Sequence, residues 1–148
     1  MTLDPLRIAE HVHGHLGWLT TAALLHPAIL LRNPKRRAHL SVALTTVLVT
    51  AVGALGVWLY GPYRDRPKQR IFLESRSVGL LFERKEHLAF GAVLLAWAAA
   101  VAYVAALWAR EEVRVPLRSF AFRAYVLATG LAVATATLGT LVAAYKTF

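Results

Sequence analysis

Cysteine is absent from the 148 residues, and methionine occurs once, at position 1. Without thiols there can be no disulfides, thiolate zinc sites, iron–sulfur clusters or covalently attached haem. Thioether ligation is confined to Met1. Carboxylates are scarce too: 8 Asp and Glu stand against 17 Lys and Arg, a net charge of +9. Cofactor chemistry therefore falls to six histidines, these few carboxylates, and hydroxyl or backbone oxygens. Charged residues make up only 17% of the chain and hydrophobic ones 57%, against about 25% and 45–50% in an ordinary soluble domain. The apolar excess comes in long uncharged blocks, which excludes a water-soluble fold.

A helix crosses the hydrocarbon core with ~20 mostly apolar residues. Four blocks qualify: about Val12–Leu31, Leu40–Tyr60, Leu88–Ala109 and Phe120–Tyr145. The expected fold is all-α, a single four-helix transmembrane bundle with both termini on one face, side A. Side A also carries the connector of residues 61–87, whose apolar runs suit an interfacial helix or an extension of the third span. Side B carries the short loops Arg32–Ala38 and Arg110–Ser119. The segment before the first block holds Asp4 and Glu10 and lacks a basic run or a small-x-small cleavage signature. That block therefore reads as a retained span. Basic residues divide almost evenly between the faces, but side B packs its share into two short loops. By the positive-inside rule this points to a cytoplasmic side B and external termini, in a bacterial-type inner membrane. The basic clusters lie where lipid phosphates sit, so a bilayer, not nucleic acid, is the expected partner.

The six histidines are His11, His13, His15, His26, His39 and His87, all within the spans or near their ends. Ionisable groups at membrane depth are costly and face a partner, a cavity or a cofactor. At about 100° per residue, His11, His15 and His26 share one stripe of the first span with Ala22. His13 falls on the other side, near Glu10 and Gly17. His87 heads a stripe of Gly91, Ala98, Ala102 and Ala105, and His39 one of Ala43, Thr46, Thr50 and Gly53. Small-residue stripes serve close helix packing; they also leave a slot for a flat macrocycle with an imidazole at its edge. His11, His13, His15 and His87 lie near side A, and His26 and His39 near side B. The expectation is bis-histidine haem b. His87 pairs with His15 on side A, with His11 and His13 as alternatives, and His26 pairs with His39 on side B. The plainer reading of His26 is a bond to the carbonyl that Pro27 releases, and that of His39 is an interfacial residue beside Lys35-Arg36-Arg37.

The same side-A residues admit a second chemistry. Glu10-x-x-His13 has the spacing of the Glu-x-x-His element of di-iron bundles, and Glu83, Glu86 and His87 are neighbours on one helix. Glu10, His11, His13, His15, Glu83, Glu86 and His87 together offer ligands for divalent metal ions, zinc or copper included. A second Glu-x-x-His is missing, and the plainer reading of Glu83-Arg84-Lys85-Glu86 is a set of local ion pairs at the interface.

Four spans with histidines near both faces resemble the small four-helix b-type membrane cytochromes. Arg37-Ala38-His39-Leu40, the span end Leu59-Tyr60-Gly61-Pro62-Tyr63, and Glu86-His87-Leu88-Ala89 are similar to four-helix assembly factors of haem-copper oxidases, over Arg37 to Trp97. Ala100 stands where a second haem ligand would follow His87 on the same helix, and His13 and His26, which have that spacing, face about 140° apart. The resemblance implies electron transfer or haem handling, with quinone, a larger respiratory complex or a second copy of the chain as contact. The chain contains no Ser-His-Asp arrangement, phosphate-binding glycine loop or dinucleotide fingerprint, and no inverted repeat. A structural or assembly subunit of a respiratory membrane complex is the non-catalytic alternative.

Overall fold

The computed structural model describes residues 5–65 and 67–146. It consists of helices α1 (Pro5–Leu31), α2 (His39–Asp65), α3 (Pro67–Glu74), α4 (Arg76–Trp108) and α5 (Glu111–Lys146). Among the described residues there is no strand. Helices α1, α2, α4 and α5 are long and apolar enough to cross a membrane. The chain is thus an integral membrane protein built as an all-α four-helix bundle, and four crossings return it to the face on which it began. Helices α1 and α2, α2 and α4, α4 and α5, and α5 and α1 are neighbours, so α1 lies diagonal to α4.

The helices outrun the apolar blocks. Helix α4 starts at Arg76, not Leu88, because Ser75 caps it: its hydroxyl accepts from the Val78 amide at 3.5 Å. The connector therefore contains both expected forms, a short separate helix and an extension of the third span. Helix α5 starts at Glu111, not Phe120, so the expected loop Arg110–Ser119 shrinks to a joint at Ala109 and Arg110. Glu111 and Glu112 in its first turn complement the helix dipole. Apolarity marks the part of a helix that meets lipid, whereas backbone hydrogen bonding continues past it.

Pro27 is fully buried within α1 and supplies no amide to the Ala23 carbonyl four residues earlier. Thr45 of α2 replaces that donor, with its Oγ1 3.3 Å from the carbonyl oxygen. An unpaired carbonyl in lipid costs several kcal/mol, so this bond ties α1 to α2. It also assigns the released carbonyl to Thr45, not to His26.

The α4–α5 seam is made of small residues. Ala96, Ala99 and Ala100 meet Ala121, Ala124 and Ala128, with Tyr103 and Tyr125 buried among them. Alanine lets two backbones approach closely, the main route to helix association where lipid removes the hydrophobic drive. A second cluster on side A joins Ile71 of α3, Phe82 of α4 and Val142 of α5 beneath Tyr60 and Tyr63. There the Phe72 ring lies so close to Gly79 that a Cβ would fall 2.6 Å from it.

Candidate functional site

Helix α1 decides which histidine enters the bundle. Its buried residues are Thr20, Thr21, Leu24, Pro27, Ala28 and Leu31. With His11 set to zero, their directions average about 215°, and His13 lies at about 200°. His13 is accordingly half-buried, while His11, His15 and His26 are exposed on the opposite side. Of the side-A histidines expected to pair with His87, His15 lies on the outward stripe and His13 is the inward imidazole.

The His13 ring rests on Gly56 of α2, where a Cβ would stand 3.1 Å from its Cε1. Its Nδ1 is buried and has no hydrogen-bond partner. Lys85 of α4 is close enough to act on it electrostatically. The Lys85 stem passes Gly139 of α5, with Cδ 3.6 Å from that residue's would-be Cβ, and Nζ lies 4.6 Å from the centre of the Phe82 ring. His13, Gly56, Lys85 and Gly139 thus bring one residue from each spanning helix to the side-A end of the bundle. Sequence reading missed Lys85 because it stands between carboxylates and looks like part of a solvated turn.

Those carboxylates have another partner. Lys68 of α3 places Nζ 3.2 Å from Glu83 and 3.9 Å from Glu86, and 5.6 Å from the Tyr60 ring centre. Burial pushes the Lys68 ammonium down, but the hydrogen bonds to Glu83 and Tyr60 and the charge of Glu86 outweigh it. Its pKa is held above the ordinary lysine value. Glu10 is half-buried one turn before His13. Among the described residues no three histidine or carboxylate side chains are grouped to hold a metal ion. The set of Glu10, His11, His13, His15, Glu83, Glu86 and His87 is not gathered in one place.

His87 is exposed, and its Nδ1 lies 2.8 Å from the Glu83 carbonyl oxygen. A carbonyl only accepts, so Nδ1 carries the hydrogen and the neutral ring keeps its lone pair on Nε2. This is the tautomer of a metal-ligating histidine oriented by a backbone carbonyl. The stripe below His87 is occupied at Gly91, where Leu131 Cδ1 of α5 lies 3.1 Å from a would-be Cβ. The stripe below His39 meets Val93 at Gly53. At these two glycines the surface serves helix packing, while Ala43, Thr50 and Ala105 of the same stripes are exposed.

On side B, His26 Nδ1 is 2.9 Å from Ser41 Oγ, and His39 Nδ1 is 3.4 Å from the Tyr103 hydroxyl. That hydroxyl also accepts from the Ala38 amide at 2.9 Å. The two rings are held by separate hydroxyls on different helices. The chain matches no protein-family model, and comparison with curated proteins and with solved structures finds no match.

Proposed function

We propose that this chain is a small integral membrane protein that binds haem b through histidine, as a b-type cytochrome does, for electron transfer or haem handling. The observation that carries this reading is the inward His13: its buried Nδ1 lacks a partner, and a lysine stands beside it. A lone imidazole nitrogen suits either haem iron or a small divalent ion. The Lys85 cation separates the two, because it repels an added dication and attracts a ligand that brings negative charge. Haem b brings two propionates, and Gly56 is the surface against which the imidazole packs. His87, with its lone pair on Nε2, is the second imidazole of side A, and His26 with His39 would serve a side-B haem. Bound haem would supply one-electron chemistry; the chain's own residues fix the imidazole and neutralise the propionates. A zinc or copper ion at Glu83 and Glu86 would first have to displace Lys68. In this reading the membrane is a bacterial-type inner membrane, the termini are external, and quinone or a respiratory complex is the redox contact.

The outward placement of His11 and His15 favours a second reading. There the chain presents imidazoles to a larger complex or a second copy as a structural or assembly subunit. The deciding experiment is an absorption spectrum of the purified protein, oxidised and dithionite-reduced, with metal analysis on the same sample. The haem reading expects a Soret band that sharpens on reduction and is lost in His13→Ala. Colourless protein carrying zinc or copper would overturn it in favour of a metal site. Colourless, metal-free protein would leave the subunit reading.

A further inference from the structure

A cleft of about 890 Å³ runs between α1 and α5 at side B, and no histidine lines it. Its walls are apolar, formed by Leu25 and Ile29 of α1 and Phe122 and Val126 of α5. Its mouth is cationic, with Arg32, Arg114 and Arg118. A second hollow of about 420 Å³ shares Pro34, Arg114 and Arg118 with the first and adds Lys35, Arg36 and Arg37. Glu111 also lines the cleft, and it is paired with Arg114 at 2.8 Å.

Arg118 is built into this mouth. Its Nη2 donates to the carbonyls of Asn33 at 3.3 Å and Arg36 at 3.1 Å, and its guanidinium lies 5.7 Å from the Tyr103 ring centre. Its Nε is buried with no hydrogen-bond partner. Among the described residues, Arg32, Lys35, Arg36 and Arg37 form no ion pair. The cleft therefore combines an uncompensated cluster of cations, one buried unpaired N–H, and an apolar trough beneath them. Eleven residues of α5 separate Arg118 from Thr129 at the cleft's inner end, ~16 Å at 1.5 Å per residue. That matches one leaflet of a hydrocarbon core about 30 Å thick.

We infer that this cleft seats one anionic phospholipid of the side-B leaflet, its phosphate at Arg32 and Arg118 and an acyl chain along Ile29 and Val126. Basic pockets between spanning helices bind anionic headgroups by the same chemistry. A zwitterionic lipid carries an ammonium that the surplus of cations repels. A soluble anion satisfies the mouth and leaves the trough unused. The site is independent of the side-A haem reading, since the cleft contains neither His13 nor Lys85; His39 lines only the adjoining hollow.

The test is native mass spectrometry of the detergent-purified full chain, offered equal amounts of phosphatidylglycerol and phosphatidylcholine with identical acyl chains. The first lipid bound should be phosphatidylglycerol by at least about tenfold, a preference that about 1.4 kcal/mol of headgroup electrostatics, little more than one cation's share, already gives. The double variant Arg32→Gln/Arg118→Gln should bring the ratio close to one, and Arg32→Lys/Arg118→Lys should restore most of it. Ile29→Trp keeps every charge and fills the trough; Ile29 is 56% exposed, so the larger side chain does not enter the core. It should lose the selective first lipid. Equal binding of the two lipids by the unaltered protein would overturn the inference, as would unchanged selectivity in Ile29→Trp. Displacement by glycerol 3-phosphate as effective as by the lipid would overturn it too, because the acyl trough would then have no part.

Discussion

Gly56 is the surface on which the His13 ring rests, so enlarging it acts first on that imidazole. A Cβ added there lies 3.1 Å from Cε1 and 3.6 Å from Nε2, inside the usual carbon contact of about 3.5–4.0 Å. The ring must move by a few tenths of an ångström, and a side chain pushed off its rotamer costs about 0.5–1.5 kcal/mol. Alanine regains about 1 kcal/mol of helix propensity over glycine. Gly56→Ala should therefore leave stability within about 1 kcal/mol of the unaltered protein while displacing the ring. Gly56→Leu adds three more carbons, and its overpacking cost of about 1–3 kcal/mol falls on His13. If His13 holds the iron, much of that cost appears in haem binding, where 1.4 kcal/mol is about tenfold in affinity. The assay is haem titration of the detergent-solubilised apoprotein followed at the Soret band, with far-ultraviolet circular dichroism as the check on folding. Gly56→Leu should stay helical and bind haem at least about tenfold more weakly. A helical Gly56→Leu protein that bound haem as tightly as before would remove His13 from the coordination sphere.

Tyr103→Phe deletes the hydroxyl that accepts from the Ala38 amide inside the bundle. Leaving that donor unpaired should cost about 1–3 kcal/mol in a detergent unfolding titration. Gly79→Ala drives a Cβ into the Phe72 ring and should loosen α3 by about 1–3 kcal/mol, measured as faster amide exchange over residues 67–74. Adding Phe72→Ala should cancel part of that loss, a coupling that a double-mutant cycle reads directly. Lys68→Met should lower the unfolding temperature modestly, by the ~0.2–1 kcal/mol of a partly exposed ion pair. Because the folded pKa of Lys68 lies above 10.5, its contribution is complete below that value and lost as pH rises through the higher folded one. The difference between Lys68→Met and the unaltered protein should vanish there. Lys85→Met should raise the stability of the apoprotein, by removing an enclosed cation, and weaken haem binding, by removing a propionate partner. Stronger haem binding in that variant would refute the role given to Lys85.

The four spans were legible because a membrane helix must be apolar on every side, whatever it packs against. The same uniformity hid which side faces inward. In water the apolar stripe of a helix marks the core; in lipid it marks nothing, and the wheel of α1 gives relative directions only. One directional signal was present in Pro27. A proline in a spanning helix needs a neighbour to satisfy the carbonyl it frees, so its vicinity must face a partner helix. Pro27 lies about 40° from His13 on the wheel and about 120° from His15, which picks out the inward-facing histidine. The helix ends beyond lipid were illegible for another reason. Arg76–His87 and Glu111–Ser119 are polar enough to read as loops, yet the Ser75 cap and the Glu111–Arg114 pair let the helices begin early.

The side-A interior holds two lysines with different surroundings, and the contrast bears on what the site can bind. Lys68 sits over two aromatic rings and faces Glu83 and Glu86, so its charge is met within the chain. Lys85 has the Phe82 ring at 4.6 Å and forms no ion pair among the described residues. A cation–π contact contributes about 2 kcal/mol when desolvated, whereas taking an ammonium out of water costs several. Lys85 is therefore met only in part, by the Phe82 ring and by the charge of Glu86, near a His13 ring nitrogen that has no hydrogen-bond partner. A bare dication satisfies the second of these and worsens the first. A soluble carboxylate does the reverse. Under the proposed haem reading, a metal centre carried within an anionic macrocycle would meet both needs without displacing Lys68 from Glu83 and Glu86.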